Sequence, residues 1–189
     1  MITFSEIRDV LQRWNIHYTW YEITQKWSET HRFYHTLEHL MDLLDQIEKK
    51  YPTQSVDRDK LVLTALFHDI IYNPARGDNE EKSAKFFLMH CPSQPTDDME
   101  DIYDMILATK DHVPLTELSK VFNDMDMDIV TRDFDQLMRW EEEIREEYDI
   151  YSDAEYREGR LKFLRSMVDK YPQNKENLLN LIDYVNRTY

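Results

Sequence analysis

One cysteine, two glycines and a shortage of positive charge limit what this sequence can be before any motif is read. Cys91 stands alone, which excludes an internal disulfide and a multi-cysteine zinc site and fits a reducing compartment. Gly77 and Gly159 are too few for a sheet-rich fold full of tight turns, whereas Leu, Glu, Lys, Met and Gln are plentiful, so the composition favours helices. No apolar run approaches the ~18 residues needed to span a membrane; the longest lies around Leu61 to Phe67. The N-terminal segment has no basic stretch followed by a long apolar one, and the expectation is an unexported, cytoplasmic protein with no membrane partner. Lys and Arg number 23 against 38 Asp and Glu, a formal net charge of −15. That balance repels a polyanion and excludes long DNA or RNA as a partner. A small phosphate ester stays open, because a bound cation can reverse the field inside one pocket.

The chain has 189 residues, enough for one well-buried core. The expectation is therefore one all-α domain, residues 1–189, with a core of about 31–130 and C-terminal helices 131–189 packed on it. Thr3-Phe-Ser-Glu6 is a capping box ahead of Ile7, Val10, Leu11 and Trp14 at helical spacing. Helices are predicted over Trp20 to Trp27 and from about Tyr34 to Tyr51, the latter carrying the stripe Leu37, Leu40, Leu43, Leu44 and Ile47. A segment from Asp57 to Tyr72, apolar on nearly every side in its middle, reads as the buried central helix. Asp78-Asn-Glu-Glu81 is a candidate N-terminal cap for a helix reaching His90. Further helices are predicted over about Asp97 to Thr109, Phe134 to Tyr148, from the Ser152-Asp-Ala-Glu155 box onward, and Lys175 to Asn186. Between the first two of these lie a short stretch around Pro114 to Phe122 and the acidic run Asp124-Met-Asp-Met-Asp128.

Three features carry chemistry. His68-Asp69 directly follows the most apolar run of the chain. A buried carboxylate there costs several kcal/mol unless it is paired, hydrogen-bonded or bound to a metal. A buried Arg or Lys partner for Asp69, with His68 satisfied in the core, is the bland alternative. Second, His35 and His39 are four residues apart, which on a helix places both imidazoles on one face; an ordinary surface or core pair shares that spacing. Third, Asp124, Asp126 and Asp128 begin like a calcium loop, but Ile129 stands where the loop needs glycine and Asp135 where it needs a bidentate Glu. An acidic helix cap accounts for at least one of them.

The order His, then His-Asp on a buried helix, then a distant Asp resembles the HD superfamily of metal-dependent phosphohydrolases. Tyr34-His-Thr-Leu-Glu-His-Leu-Met-Asp-Leu43 looks like a segment of the cyclic-nucleotide phosphodiesterases, which share that architecture. Arg32-Phe-Tyr-His35, Phe67-His-Asp-Ile-Ile-Tyr-Asn-Pro74, Asp78-Asn-Glu-Glu81, Asp126 and Tyr156-Arg-Glu-Gly-Arg160 look like a bacterial branch of predicted HD phosphohydrolases. The resemblance implies an HD-type helical bundle in which His39, His68, Asp69 and Asp126 hold a divalent ion, with Asp124 the competing assignment for the last. It implies that His35 protonates the leaving oxygen. Nitrogen and oxygen ligation without thiolate admits Mn, Mg, Fe, Ni, Co or Zn, and the implied reaction is hydrolysis of a phosphate ester or anhydride by activated water.

Nucleotides are the leading substrate class by analogy with related folds. Arg32, Arg76, Lys82 and Lys110 are the cations near the motifs, and Arg32 and Arg76 are favoured to meet phosphate. His112 is a candidate for phosphate or a second metal, and Glu81 for orienting a ligand or a water. The charged C-terminal helices are a candidate homodimer surface. Two other readings start from the same residues. A helical sensor would bind metal or nucleotide without turnover. A zinc peptidase of the His-x-x-Glu-His type would use His35 and His39 as ligands and Glu38 as base.

Overall fold

A computed structural model describes residues 2–189, and among them every regular element is helical, as the composition leads one to expect. The α-helices are α1 (Phe4–Arg13), α2 (Trp20–Trp27), α3 (Leu37–Lys50), α4 (Val56–Phe67), α5 (Asn79–Met89), α6 (Asp97–Ala108), α7 (Glu117–Asp126), α8 (Phe134–Glu147), α9 (Asp153–Lys170) and α10 (Lys175–Thr188). Short 3-10 turns stand at Asp128–Thr131 and Pro172–Asn174. The chain divides into two compact units, Met1–Asp126 and Met127–Tyr189.

In the first unit α4 is the centre, packed by α1, α3, α5, α6 and α7. Every residue of α4 from Arg58 to Phe67 is buried. The sequence shows why its middle is inside; the structure shows how its polar first turn is tolerated there. Arg58 reaches Glu48 of α3 at 2.7 Å. Asp59 accepts from Arg13 at 2.8 and 3.0 Å and from the Trp14 indole at 2.9 Å, both carried by the end of α1. Lys60 lies 2.5 Å from Asp98 and 2.6 Å from Asp101 of α6. Successive charges are thus neutralised from different neighbouring helices, which fixes the rotation of α4 about its axis as well as its depth.

Three boundaries differ from the expected ones. The helix predicted from Tyr34 begins at Leu37, because the Thr36 side chain accepts from the Glu38 amide and caps it there. The central helix predicted to Tyr72 ends at Phe67, for reasons given below. The short stretch and the acidic run after Pro114 are largely one helix, α7, so Asp124 and Asp126 belong to its last turn. The expected capping boxes at Thr3 and Ser152 both form. Asp78 stands at the N-cap of α5 as expected, but its carboxylate accepts from Arg76 at 2.7 and 2.8 Å instead of capping the helix.

In the second unit α10 packs on α8 and α9. Its core includes Leu137, Trp140, Ile144, Leu164, Leu178, Leu181 and Val185. Glu141, Glu147 and Arg160 are charged residues buried with it. Glu141 accepts from the Tyr156 hydroxyl at 2.7 Å and from Arg160 Nε at 2.6 Å, while the Arg160 guanidinium lies over the Trp140 ring at 4.1 Å. The motif residues Tyr156 and Arg160, one turn apart on α9, are therefore the two partners of a single carboxylate on α8. Removing one member of a buried pair costs about 3–5 kcal/mol because the other charge is left uncompensated. Glu141→Leu is expected to lose stability on that scale in urea unfolding, and Glu141→Leu with Arg160→Met to recover most of it.

Candidate metal centre

The last carbonyls of α4 are taken by one main-chain and two side-chain donors. The Thr64 carbonyl accepts from the His68 amide at 2.8 Å, the Ala65 carbonyl from His68 Nδ1 at 3.0 Å, and the Leu66 carbonyl from the Trp27 indole at 3.0 Å. The open carbonyls of a helix end thereby find partners without another turn. The chain that follows is clamped from two sides. Arg32 donates to the carbonyls of Asp69 at 2.9 Å and Ile70 at 3.4 Å, and to that of His35 at 3.1 Å. From α5, Ser83 brackets the backbone N–H and carbonyl of Ile71, and Asn79 does the same for Asn73. The expected placement of His68-Asp69 within a continuing helix is corrected accordingly: His68 is the C-cap of α4 and Asp69 lies in the turn beyond it.

This turn faces the N-terminus of α3 and the C-terminus of α7. His39, His68 and Asp69 each offer a ligand atom within 4.8 Å of the others. Asp126, the last residue of α7, joins them with Oδ1 3.1 Å from His39 Nε2 and 3.5 Å from His68 Nε2. Asp69 Oδ2 lies 3.2 Å from His68 Nε2 and 3.8 Å from His35 Nε2. His35 precedes α3, so the two imidazoles meet through the capping turn and not along one helical face; their ring centroids are 6.0 Å apart. Aromatic rings wall the cluster: Trp27 and Phe122 each lie 5.4 Å from the His68 ring, and Tyr72 packs on His35 at 4.4 Å.

His68 supplies the test of whether these residues suit a cation. A carbonyl oxygen can only accept, so the contact with Ala65 puts a proton on Nδ1 and leaves Nε2 with its lone pair in the neutral ring. Nε2 is buried and has no partner of hydrogen-bonding geometry, although two carboxylate oxygens lie close to it. A lone pair facing two anions in an apolar enclosure requires positive charge among them, either a proton or a metal ion. Both carboxylates also stand at helix C-termini, where the macrodipole disfavours negative charge. Two imidazoles and two carboxylates with no thiolate suit a divalent ion.

The electrostatics have the same sign. Burial acts to raise the Asp69 and Asp126 pKa values, and it is outweighed: His68 and His35 hold Asp69 below the usual carboxylate range, and His68, His112 and His39 hold Asp126 well below it. Burial acts to lower the His68 pKa, and Asp69 and Asp126 carry it well above its ordinary value.

The other expected site residues lie in different surroundings. Asp124 points away and pairs with Lys120 at 2.7 Å, so Asp126 is the aspartate at the cluster. The expectation that Arg32 meets phosphate is corrected: its side chain is wholly buried and its donors are taken by backbone carbonyls and Glu29, so it braces the turn from behind. Arg76 is exposed and paired with Asp78, with Lys82 3.6 Å from the same carboxylate. Lys110 donates to Glu81 at 2.5 Å and to the Gly77 carbonyl at 2.7 Å. His112 does reach the cluster, with Nε2 3.1 Å from Asp126 Oδ2. Glu38, the base of a peptidase arrangement, is exposed.

Glu80 escaped the sequence reading, which favoured Glu81. It is half-buried, and burial followed by the nearby Asp69 charge raises its pKa. The signal that could have found it was spacing, since Glu80 is three and four residues from the buried Ser83 and Ala84, one inward face of α5.

A divalent ion entering this cluster has to displace the proton that the His68 site otherwise retains. Calorimetric titration with Mn²⁺ in buffers of different ionisation enthalpy is expected to show release of about one proton per ion. Affinity should fall as pH is lowered, because a raised histidine pKa favours the competing protonated form; pH-independent binding would contradict this. In comparisons with known proteins, no family model, no curated protein and no solved structure matches this chain.

Proposed function

We propose that the chain is a metal-dependent phosphohydrolase acting on a small phosphorylated substrate, nucleotides being the first class to test. The observation that carries the reading is the buried His68 Nε2, held with its lone pair toward Asp69 and Asp126 beside His39. Those four residues would hold the ion. When bound, a divalent cation supplies Lewis acidity toward a phosphoryl oxygen and a water of lowered pKa.

The chain's own groups account for the rest. His35 is half-buried beside Asp69, with Tyr72 packed on its ring, and we assign it the proton given to the leaving oxygen. Such a contribution is worth about 10²–10⁴-fold in rate. Trp27 and Phe122 keep water from the inner side of His68, so that charge placed there is weakly screened. The acidic surface favours a compact substrate over a polyanionic chain.

The test is release of phosphate or nucleoside from a panel of nucleotides, cyclic nucleotides and small phosphomonoesters, with Mn²⁺, Mg²⁺, Ni²⁺ or chelator. Metal-dependent release by the wild type is expected, falling to background in Asp69→Ala together with metal binding. His35→Ala is expected to lose about 10²–10⁴-fold in turnover while retaining the ion; loss of the ion would make His35 a ligand instead. Nucleotide bound tightly and left intact with every metal would replace the hydrolase by a sensor.

A further inference from the structure

We propose that His112 is a positioning residue for the metal centre: it holds Oδ2 of Asp126 so that Oδ1 is presented toward His39 and His68. The inference rests on the metal-centre reading above and adds to it a residue outside the four ligands.

The contact divides the carboxylate cleanly. Asp126 Oδ1 is the oxygen 3.1 Å from His39 and 3.5 Å from His68, and Oδ2 is the one 3.1 Å from His112 Nε2. A carboxylate at the last turn of a helix can rotate about its own side-chain bonds, and a donor on the far oxygen removes that freedom. An imidazole N–H aimed at the non-ligating oxygen leaves the near oxygen to bind alone.

The segment around His112 is built at some cost. His112 has φ 50, in the left-handed region that L side chains seldom adopt. The other residue of this kind among those described is Asn15; both types enter the region more readily than most, though at a cost. Directly after His112 the usual preference is inverted: Val113 and Leu115 are 63% and 66% exposed while the histidine turns inward. Nothing about apolar burial would select that arrangement. The loop is held in it from either end. Lys110 ties its start to the Gly77 carbonyl and Glu81, and Ser119 accepts from the amides of Leu115 and Thr116 at its finish. A strained histidine with its apolar neighbours in water persists where surrounding contacts over-determine it. What this strained turn secures is the hydrogen bond from His112 to Asp126.

The test uses the full chain with His112→Gly, which relieves the backbone and removes the donor, and His112→Gln, whose amide nitrogen has a reach close to that of Nε2. Mn²⁺ affinity and stoichiometry are read by calorimetry, and Tm on the chelator-treated protein. His112→Gly is expected to weaken Mn²⁺ binding by about 10–100-fold with Tm unchanged or raised, and His112→Gln to restore most of the affinity. Wild-type affinity in His112→Gly overturns the proposal and leaves the metal-centre reading intact. A fall in stoichiometry from two ions to one makes His112 a ligand and overturns it as well. A lowered Tm in His112→Gly, with no recovery of affinity in His112→Gln, reduces the residue to a structural one. Absence of Mn²⁺ binding by the wild type overturns both readings together.

Discussion

Two largely covered carboxylates at the C-terminal ends of helices, facing imidazole nitrogens, form the constraint around which the first unit is arranged. Each is opposed by burial and by the dipole of its own helix. Solvent relieves little of either penalty, because both side chains are largely covered, with Trp27, Phe122 and Tyr72 packed on the histidines that the carboxylates meet. Positive charge has to reside among them. A proton on His68 would meet that need without a metal, and on the proposed reading a divalent ion would meet it by engaging four donors at once. The same enclosure that makes the cluster costly without a cation would make a bound cation effective, since charges interact more strongly where water is excluded.

The two ends of α4 do different work. At its first turn Arg58, Asp59 and Lys60 are each paired with other helices, and that pairing sets the orientation in which the far end of the helix arrives. At its last turn the carbonyls are taken by His68 and Trp27, and the chain leaves the helix where Arg32 can hold the next carbonyls. His68 is both a cap and a candidate ligand. Its Nδ1 contact with Ala65 stabilises the helix end and fixes the tautomer that a ligand needs, so one hydrogen bond links folding to chemistry.

Much of this was legible in the sequence wherever a local rule applied. The capping boxes at Thr3 and Ser152, the stripe on α3 and the burial of α4 follow from side-chain chemistry and helical period, and the structure has them. His39, His68, Asp69 and Asp126 were marked by the resemblance that their order carries, and they lie together. Some failures were local, as where Thr36 starts α3 late and Asp78 takes Arg76; in the others the deciding partner was distant in sequence. Arg32 looked like a free cation near a motif until Asp69 and Ile70, far along the chain, proved to take its donors. The end of α4 depends on Trp27 as much as on its own residues. Glu80 and Glu81 are indistinguishable by type; only the inward position of one and the Lys110 pairing of the other separate them.

The fate of the basic residues bears on what the proposed enzyme would accept. Arg76 and Lys110 are committed to Asp78 and Glu81, and Arg32 is inside, so the groups that sequence proximity offered to a phosphate are engaged elsewhere. On the proposed reading, the charge of a transferred phosphoryl group is met chiefly by the ion and the imidazoles around it. A site of that kind gains little from a second or third phosphate, because these cations are not set out to receive them, and the acidic surface opposes each added negative charge. On that reading the preference would be for monophosphates and other singly phosphorylated compounds over polyphosphates. Selectivity among them would depend on the uncharged part of the substrate, which exposed side chains such as Phe33, Val113 and Leu115, close in sequence to the turns carrying His35 and His112, are chemically suited to meet.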